Sequence, residues 1–296
     1  MIHQSLLRYR GGRYLWWAVG LSLGSVALYA TQGGLQRHNG GTWQGYTLGT
    51  VGALLIAWLA LLGIRKRSYS STLGTVQGWA SAHVYLGTAL LVVATLHCSA
   101  EFGWNVHTLA YVLMAAVIVS GFVGLYVYFS NPSVISENRS GGSRGALFAE
   151  LFDLDARARE LADRCDPDTG LAVKSSIERT VLGGGVLKQL FALDDSRLML
   201  AEAAAGQGTR LVSNTDQQTA IDWVAKRLPR AEKRAEAELL QALVGVLCRR
   251  QMILRRLRRD IRLNGWLRAW LYIHVPLTIA LLAALLVHIV VTFIYW

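Results

Sequence analysis

Five apolar stretches constrain the fold of this 296-residue chain more than any other feature: residues 14–30, 46–64, 79–97, 109–129 and 269–295. About 20 apolar residues in a helix rise roughly 30 Å, the thickness of a bilayer's hydrocarbon core. Hydrocarbon offers no partner to a backbone N–H or C=O, so each stretch must satisfy its own hydrogen bonds as an α-helix. The composition agrees, being 53% hydrophobic with ten tryptophans. The expected fold class is an all-α integral membrane protein. Its five-helix transmembrane bundle would carry a helical cytoplasmic insert between helices four and five. Residues 1–130 hold the first four helices, 131–268 the insert and 269–296 the fifth helix. The first stretch opens with Tyr14, Trp16 and Trp17, as an interfacial belt does. Arg8, Arg10 and Arg13 precede it as they would a signal peptide, but no small-residue cleavage site follows, so it reads as a retained helix.

Charge predicts orientation. Arg8, Arg10, Arg13, Arg65, Lys66 and Arg67 flank the spans on one side, and only Arg37 stands on the other. By the positive-inside rule the N-terminus is cytoplasmic and the C-terminus periplasmic, in a bacterial inner membrane. Residues 131–268 then lie in the cytoplasm and carry 23 of the 30 Lys and Arg, so the net charge of +11 reports topology and not nucleic-acid binding. Cys98, Cys165 and Cys248 form no C-x-x-C pair and no C-x-x-C-H motif, so neither a disulfide nor covalent haem attachment is expected.

Within the insert, Asn131-Pro132 ends the fourth helix and residues 138–145 (NRSGGSRG) read as a linker. Apolar residues from Ala146 to Leu161 recur at helical spacing. After Gly183-Gly184-Gly185 a helix is expected over 186–205, and another over about 215–264 with a break near Pro229. No strand pattern is evident. Arg249, Arg250, Arg255, Arg256, Arg258, Arg259 and Arg262 crowd the approach to the fifth span. They read as a solvated juxtamembrane helix, open to anionic lipid, haem propionates or an acidic partner.

Four histidines stand inside apolar stretches: His83 and His97 in the third, His274 and His288 in the fifth. Each pair is separated by fourteen positions, roughly 21 Å of helix and within about 40° of whole turns, so each pair shares a face. Imidazole is costly in hydrocarbon and marks a functional site. The third and fifth helices run in the same direction, which puts His83 level with His274 and His97 level with His288. That is the arrangement two stacked bis-histidine haems require. Gly49, Gly52, Gly87, Gly121 and Gly124 would let helices approach a flat cofactor, or simply one another. Pro276 is expected to kink the fifth span or to sit in its first turn.

Two helices that each bear two histidines fourteen residues apart resemble the membrane-embedded di-haem cytochromes b. That group includes the cytochrome b of quinol-oxidising complexes, respiratory-reductase anchors and ferric-reductase-like transmembrane domains. The resemblance covers the five spans and not the insert. It implies two haem b groups, an inner one on His83 and His274 and an outer one on His97 and His288, each iron six-coordinate and suited to electron transfer. Arg65, Arg262 and Arg268 are candidate propionate partners inside; Arg37, His38 and His107 are candidates outside. His107 could also line a quinone pocket.

No G-x-G-x-x-G follows a strand pattern, and no iron–sulfur cysteine spacing occurs. The chain is therefore expected to move electrons between a quinol or cytoplasmic donor and a partner, such as a c-type cytochrome or an iron–sulfur or other redox subunit. It would serve as an electron-transfer subunit, with membrane lipid around it. Two alternatives stay open: a quinone-reactive subunit of a larger oxidoreductase, and a non-haem transporter or scaffold with a cytoplasmic interaction domain.

Overall fold

A computed structural model describes residues 6–31, 40–68, 72, 74–129, 144–201, 208–231 and 233–294. The chain divides into two compact units, Met1–Tyr126 with Trp270–Trp296, and Val127–Ala269.

The first unit holds α1 (Arg13–Ala30), α2 (Trp43–Arg67), α3 (Val76–His97) and α4 (Val106–Phe129), joined by the end of a much later helix. Threonines set two of the starts. Thr42 Oγ1 accepts the Gly45 N–H at 3.2 Å and Thr75 Oγ1 accepts the Gly78 N–H at 3.1 Å, each satisfying an orphan donor of the first turn. Arg65, Lys66 and Arg67 close α2, where cations oppose the negative end of the helix dipole. The helices begin about three residues before the apolar stretches do, because these capping turns are polar.

Among the described residues four helices are long and apolar enough to cross a membrane: α2, α3, α4 and the last helix. α1, with 18 residues, is not among them. Its length is adequate, but Arg13, the aromatic ring pair Trp16-Trp17 and the glycines at 20 and 24 dilute its apolar character. α1 packs against α3, and α2 packs closest of all against α3. The shared core is Ile56 and Leu59 from α2, Leu90 from α3, Met114 from α4 and Leu281 from the last helix. The outward faces stay apolar, as at Leu54, Val119, Phe122 and Leu286, which suits lipid as the surrounding solvent.

The second unit begins with α5 (Arg144–Asp163) and α6 (Pro167–Glu178), followed by the short α7 (Val186–Phe191). Expectation and structure then part. A hairpin of β1 (Arg197–Ala201) and β2 (Thr209–Ser213) pairs antiparallel, Arg197 opposite Ser213, where a helix over 186–205 was expected. The unit is therefore not all-helical. Tertiary contacts override the helical composition here. Leu198 is fully buried against Ala172 and Ala220, and the Met199 N–H donates to Ser175 Oγ on α6 at 2.9 Å. The expected linker lies mostly outside the described residues, though its last two, Arg144 and Gly145, already belong to α5.

Beyond the hairpin stand α8 (Gln218–Ala225), a 3-10 turn at Leu228–Arg230 and then α9, a single helix of 61 residues from Arg234 to Ile294. The break near Pro229 is real, but no second break precedes the fifth span, and Pro276 lies well inside the helix rather than at its start. In the second unit α9 buries Leu240, Leu243, Leu247, Leu254 and Leu257, spaced alternately by three and four residues where they neighbour one another. Arg250 completes that series at 1% exposure. Its guanidinium donates to Asp155 Oδ1 at 2.5 Å, Gln217 Oε1 at 2.6 Å and Thr180 Oγ1 at 2.9 Å, so a charge in an apolar seam is fully engaged.

Candidate functional site

Within the first unit, α3 and the end of α9 turn their histidine faces to one interior. Leu90 lies seven residues from both His83 and His97, and Leu281 seven from both His274 and His288. Both leucines are buried in the same cluster, at 2% and 4% exposure. Residues seven apart share a helix face, so the imidazoles above and below must border that interior too.

At one end His97 and His288 face each other with ring centroids 6.0 Å apart and planes at 84°. Two imidazoles bound to one ion from opposite sides, with metal–nitrogen bonds of about 2 Å, have centroids roughly 6 Å apart. His97 Nδ1–H donates to the Gly45 carbonyl at 2.8 Å. A Cβ at Gly49 would lie 2.7 Å from His97 Cε1, so α2 can present only glycine to that ring. His107, at the start of α4, meets His288 through its Nδ1 at 2.5 Å.

At the other end His83 Nδ1–H donates to the Leu59 carbonyl at 3.1 Å. His274 Nδ1 lies 2.7 Å from Ser120 Oγ. The serine hydroxyl gives its one hydrogen to the Val117 carbonyl at 2.8 Å, so His274 is the donor in that pair. Trp270 stacks obliquely on His274 at 5.0 Å and donates its indole N–H to the Ser120 carbonyl at 2.7 Å. A Cβ at Gly124 would fall 2.3 Å from Trp270 Cε2, which makes that glycine a seat for the indole. Gly52 and Gly87, by contrast, face only ordinary contacts, with Leu90 and Val93 and with Leu59.

The tautomers follow. His83, His97 and His274 each spend Nδ1–H on an oxygen, so in the neutral ring the lone pair sits on Nε2. This is the orientation protein structures use to hold a metal-ligating imidazole. Among the described residues no three or more His, Cys, Asp or Glu side chains form a group able to hold a metal ion.

Arg65 donates to the carbonyls of Ser68 at 3.0 Å and Gly74 at 2.6 Å, bridging the α2–α3 connection. Arg262 and Arg268 are exposed on α9 within the second unit. Arg37 and His38 lie outside the described residues. Of the seven clustered arginines, Arg249, Arg250, Arg255 and Arg258 pair with Glu150, Asp155, Asp216 and Asp194. Arg250 and Arg258 are largely buried in their pairs, whereas Arg249 and Arg255 stay exposed on the solvated face expected of this helix. Burial lowers the Arg258 pKa, with Asp194 opposing that shift.

Sequence reasoning passed over Ser120, although a hydroxyl in an apolar span is a visible signal. It could not have found Gly45 and Leu59, which contribute backbone carbonyls that any residue supplies.

No family model, curated protein or solved structure matches this chain. The fold and site define a class: an apolar helical unit with four histidines bordering one interior, two of which, His97 and His288, are in ring contact.

Proposed function

We propose that this chain is a di-haem b-type cytochrome that carries electrons across a bacterial cytoplasmic membrane. The observation that carries the reading is the set of four imidazoles on α3 and the C-terminal part of α9, with His97 and His288 at a ring-centroid distance of 6.0 Å and His83, His97 and His274 each donating Nδ1–H to an oxygen. His83 with His274 would hold one haem, and His97 with His288 the other. The donor set fits the group where it is measured: His97 and His288 stand at a separation suited to one iron between them, and His83, His97 and His274 each have Nδ1 engaged with an oxygen. When bound, haem supplies a one-electron iron couple.

The chain's own contribution is positional. Backbone carbonyls of Gly45 and Leu59 and the Ser120 hydroxyl fix the ring planes and raise ligand basicity. Two imidazoles would hold each iron, a donor set that would suit electron transfer. Leu90, Met114 and Leu281 keep water out of the layer between the two sites. Donor and acceptor are separate molecules in this reading, a quinol or cytoplasmic reductant on one side and a redox protein on the other.

The test is a reduced-minus-oxidised spectrum and haem count on the purified full-length protein. Two b-type haems per chain are expected. A colourless protein after expression with sufficient haem overturns the reading in favour of a non-haem membrane protein.

A further inference from the structure

The second unit carries an apolar surface that its own core does not use. Val186 and Leu187 open α7 at 72% and 68% exposure, and Phe191 and Leu193 follow at 61% and 53%. Gly183 and Gly184 precede them at φ 85° and 123°, a turn open to glycine and strained for other residues. α7 is anchored to α9 within the same unit. The Trp266 indole donates to the Leu190 carbonyl at 3.0 Å, Phe191 packs edge-on against Trp266 at 6.4 Å, and a Cβ at Gly265 would touch Leu190 Cδ2 at 3.5 Å. Trp266 is itself 41% exposed.

The order of residues along α9 identifies what covers this surface. Arg259 and Arg262 are exposed, Trp266 follows one turn later, and Trp270 opens the apolar stretch one turn after that. Arginines, then Trp266 and Trp270 with the exposed Arg268 between them, then continuous hydrocarbon follow the order in which a helix enters a bilayer. Arg259 and Arg262 precede Trp266 by seven and four residues and so lie on its side of α9. A short apolar helix held beside that tryptophan is therefore held at headgroup level.

We propose that α7 is an interfacial anchor: Val186, Leu187, Phe191 and Leu193 enter the headgroup–acyl boundary of the bilayer that α9 crosses, with Arg259 and Arg262 on lipid phosphates. The anchor rests on α9 spanning the membrane and is independent of haem. It gives the second unit a fixed attachment to the lipid surface besides its covalent ones.

The test uses the full chain in nanodiscs of phosphatidylcholine and phosphatidylglycerol, with the three native cysteines replaced by serine. A polarity-sensitive fluorophore is placed singly by Leu187→Cys, Glu236→Cys or Val287→Cys. Position 236 is exposed about 45 Å back along α9 from Trp266, and Val287 is half-exposed within the span. Nitroxide lipids labelled near the headgroup should quench position 187 several-fold more than position 236, and acyl-labelled lipids should quench position 287. Quenching at 287 with none at 187 overturns the anchor while sparing the membrane reading. No quenching at either position overturns the membrane reading itself. Shielding of 187 only at high protein-to-lipid ratio would make a second copy the occupant, and also overturns it. If labelled variants fail to fold, a photoactivatable phospholipid on the unaltered chain should leave adducts in the peptide spanning 183–193; adducts confined to the spans refute the proposal.

Discussion

Ser120 accepts the Nδ1 hydrogen of His274 at 2.7 Å while passing its own hydroxyl hydrogen to Val117, so a single side chain on α4 settles which nitrogen of His274 is free. Removing it leaves the imidazole with a buried donor and no fixed plane. Ser120→Ala should cost about 1–3 kcal/mol locally and raise the midpoint potential of one haem, because a less basic imidazole stabilises ferric iron less. Ser120→Thr should restore it. A redox titration resolving two potentials checks this; movement of both, or of neither, counts against the role.

Under the proposed di-haem function, substitutions of the four histidines should act by layer. His97→Ala should remove one haem and spare the other, and His83→Ala should do the reverse. Haem-to-protein ratios with low-temperature spectra distinguish these outcomes from general loss of fold.

The glycines divide sharply. Gly49→Ala forces a Cβ to 2.7 Å of His97 Cε1 and should lower occupancy of the His97 layer, whereas Gly52→Ala, facing Leu90 at 3.8 Å, should be nearly neutral. Spectroscopic haem counting on the two variants side by side tests the contrast.

Arg250 fills a core position with three hydrogen-bond partners. Asp155→Asn removes the countercharge and leaves the guanidinium buried, which should destabilise the second unit by about 3–5 kcal/mol. Arg250→Met should be milder, since no charge remains to strand. Denaturant unfolding in detergent orders the two variants.

Asp166 caps α6 through the Thr169 N–H at 3.0 Å. Partial burial opposes its charge, but the hydrogen bonds from Thr169 and the nearby Arg227 win and hold its pKa below the ordinary 3.8. A depressed carboxylate stabilises the fold above its unfolded pKa and loses that contribution as pH falls through the folded value. Asp166→Ala should therefore cost about 1 kcal/mol at neutral pH, and the gap to the unaltered chain should close below pH ~4. Thermal unfolding across pH 3–7 follows it.

Much was legible in the chain alone. The apolar runs located α2, α3, α4 and the end of α9, because hydrocarbon admits little but helix and helix length is set by bilayer thickness. The fourteen-residue interval put His83 with His97, and His274 with His288, on shared faces, since helical period is a local property. Only the tertiary structure decided the rest. Ser175 and the Leu198 pocket turned an expected helix into a hairpin, because a strand's hydrogen bonds come from partners distant in sequence. Acidic residues of the insert claimed four of the clustered arginines for the same reason. The carbonyls of Gly45 and Leu59 that aim His97 and His83 carry no side-chain signature at all, so they become visible only when α2 is laid against α3.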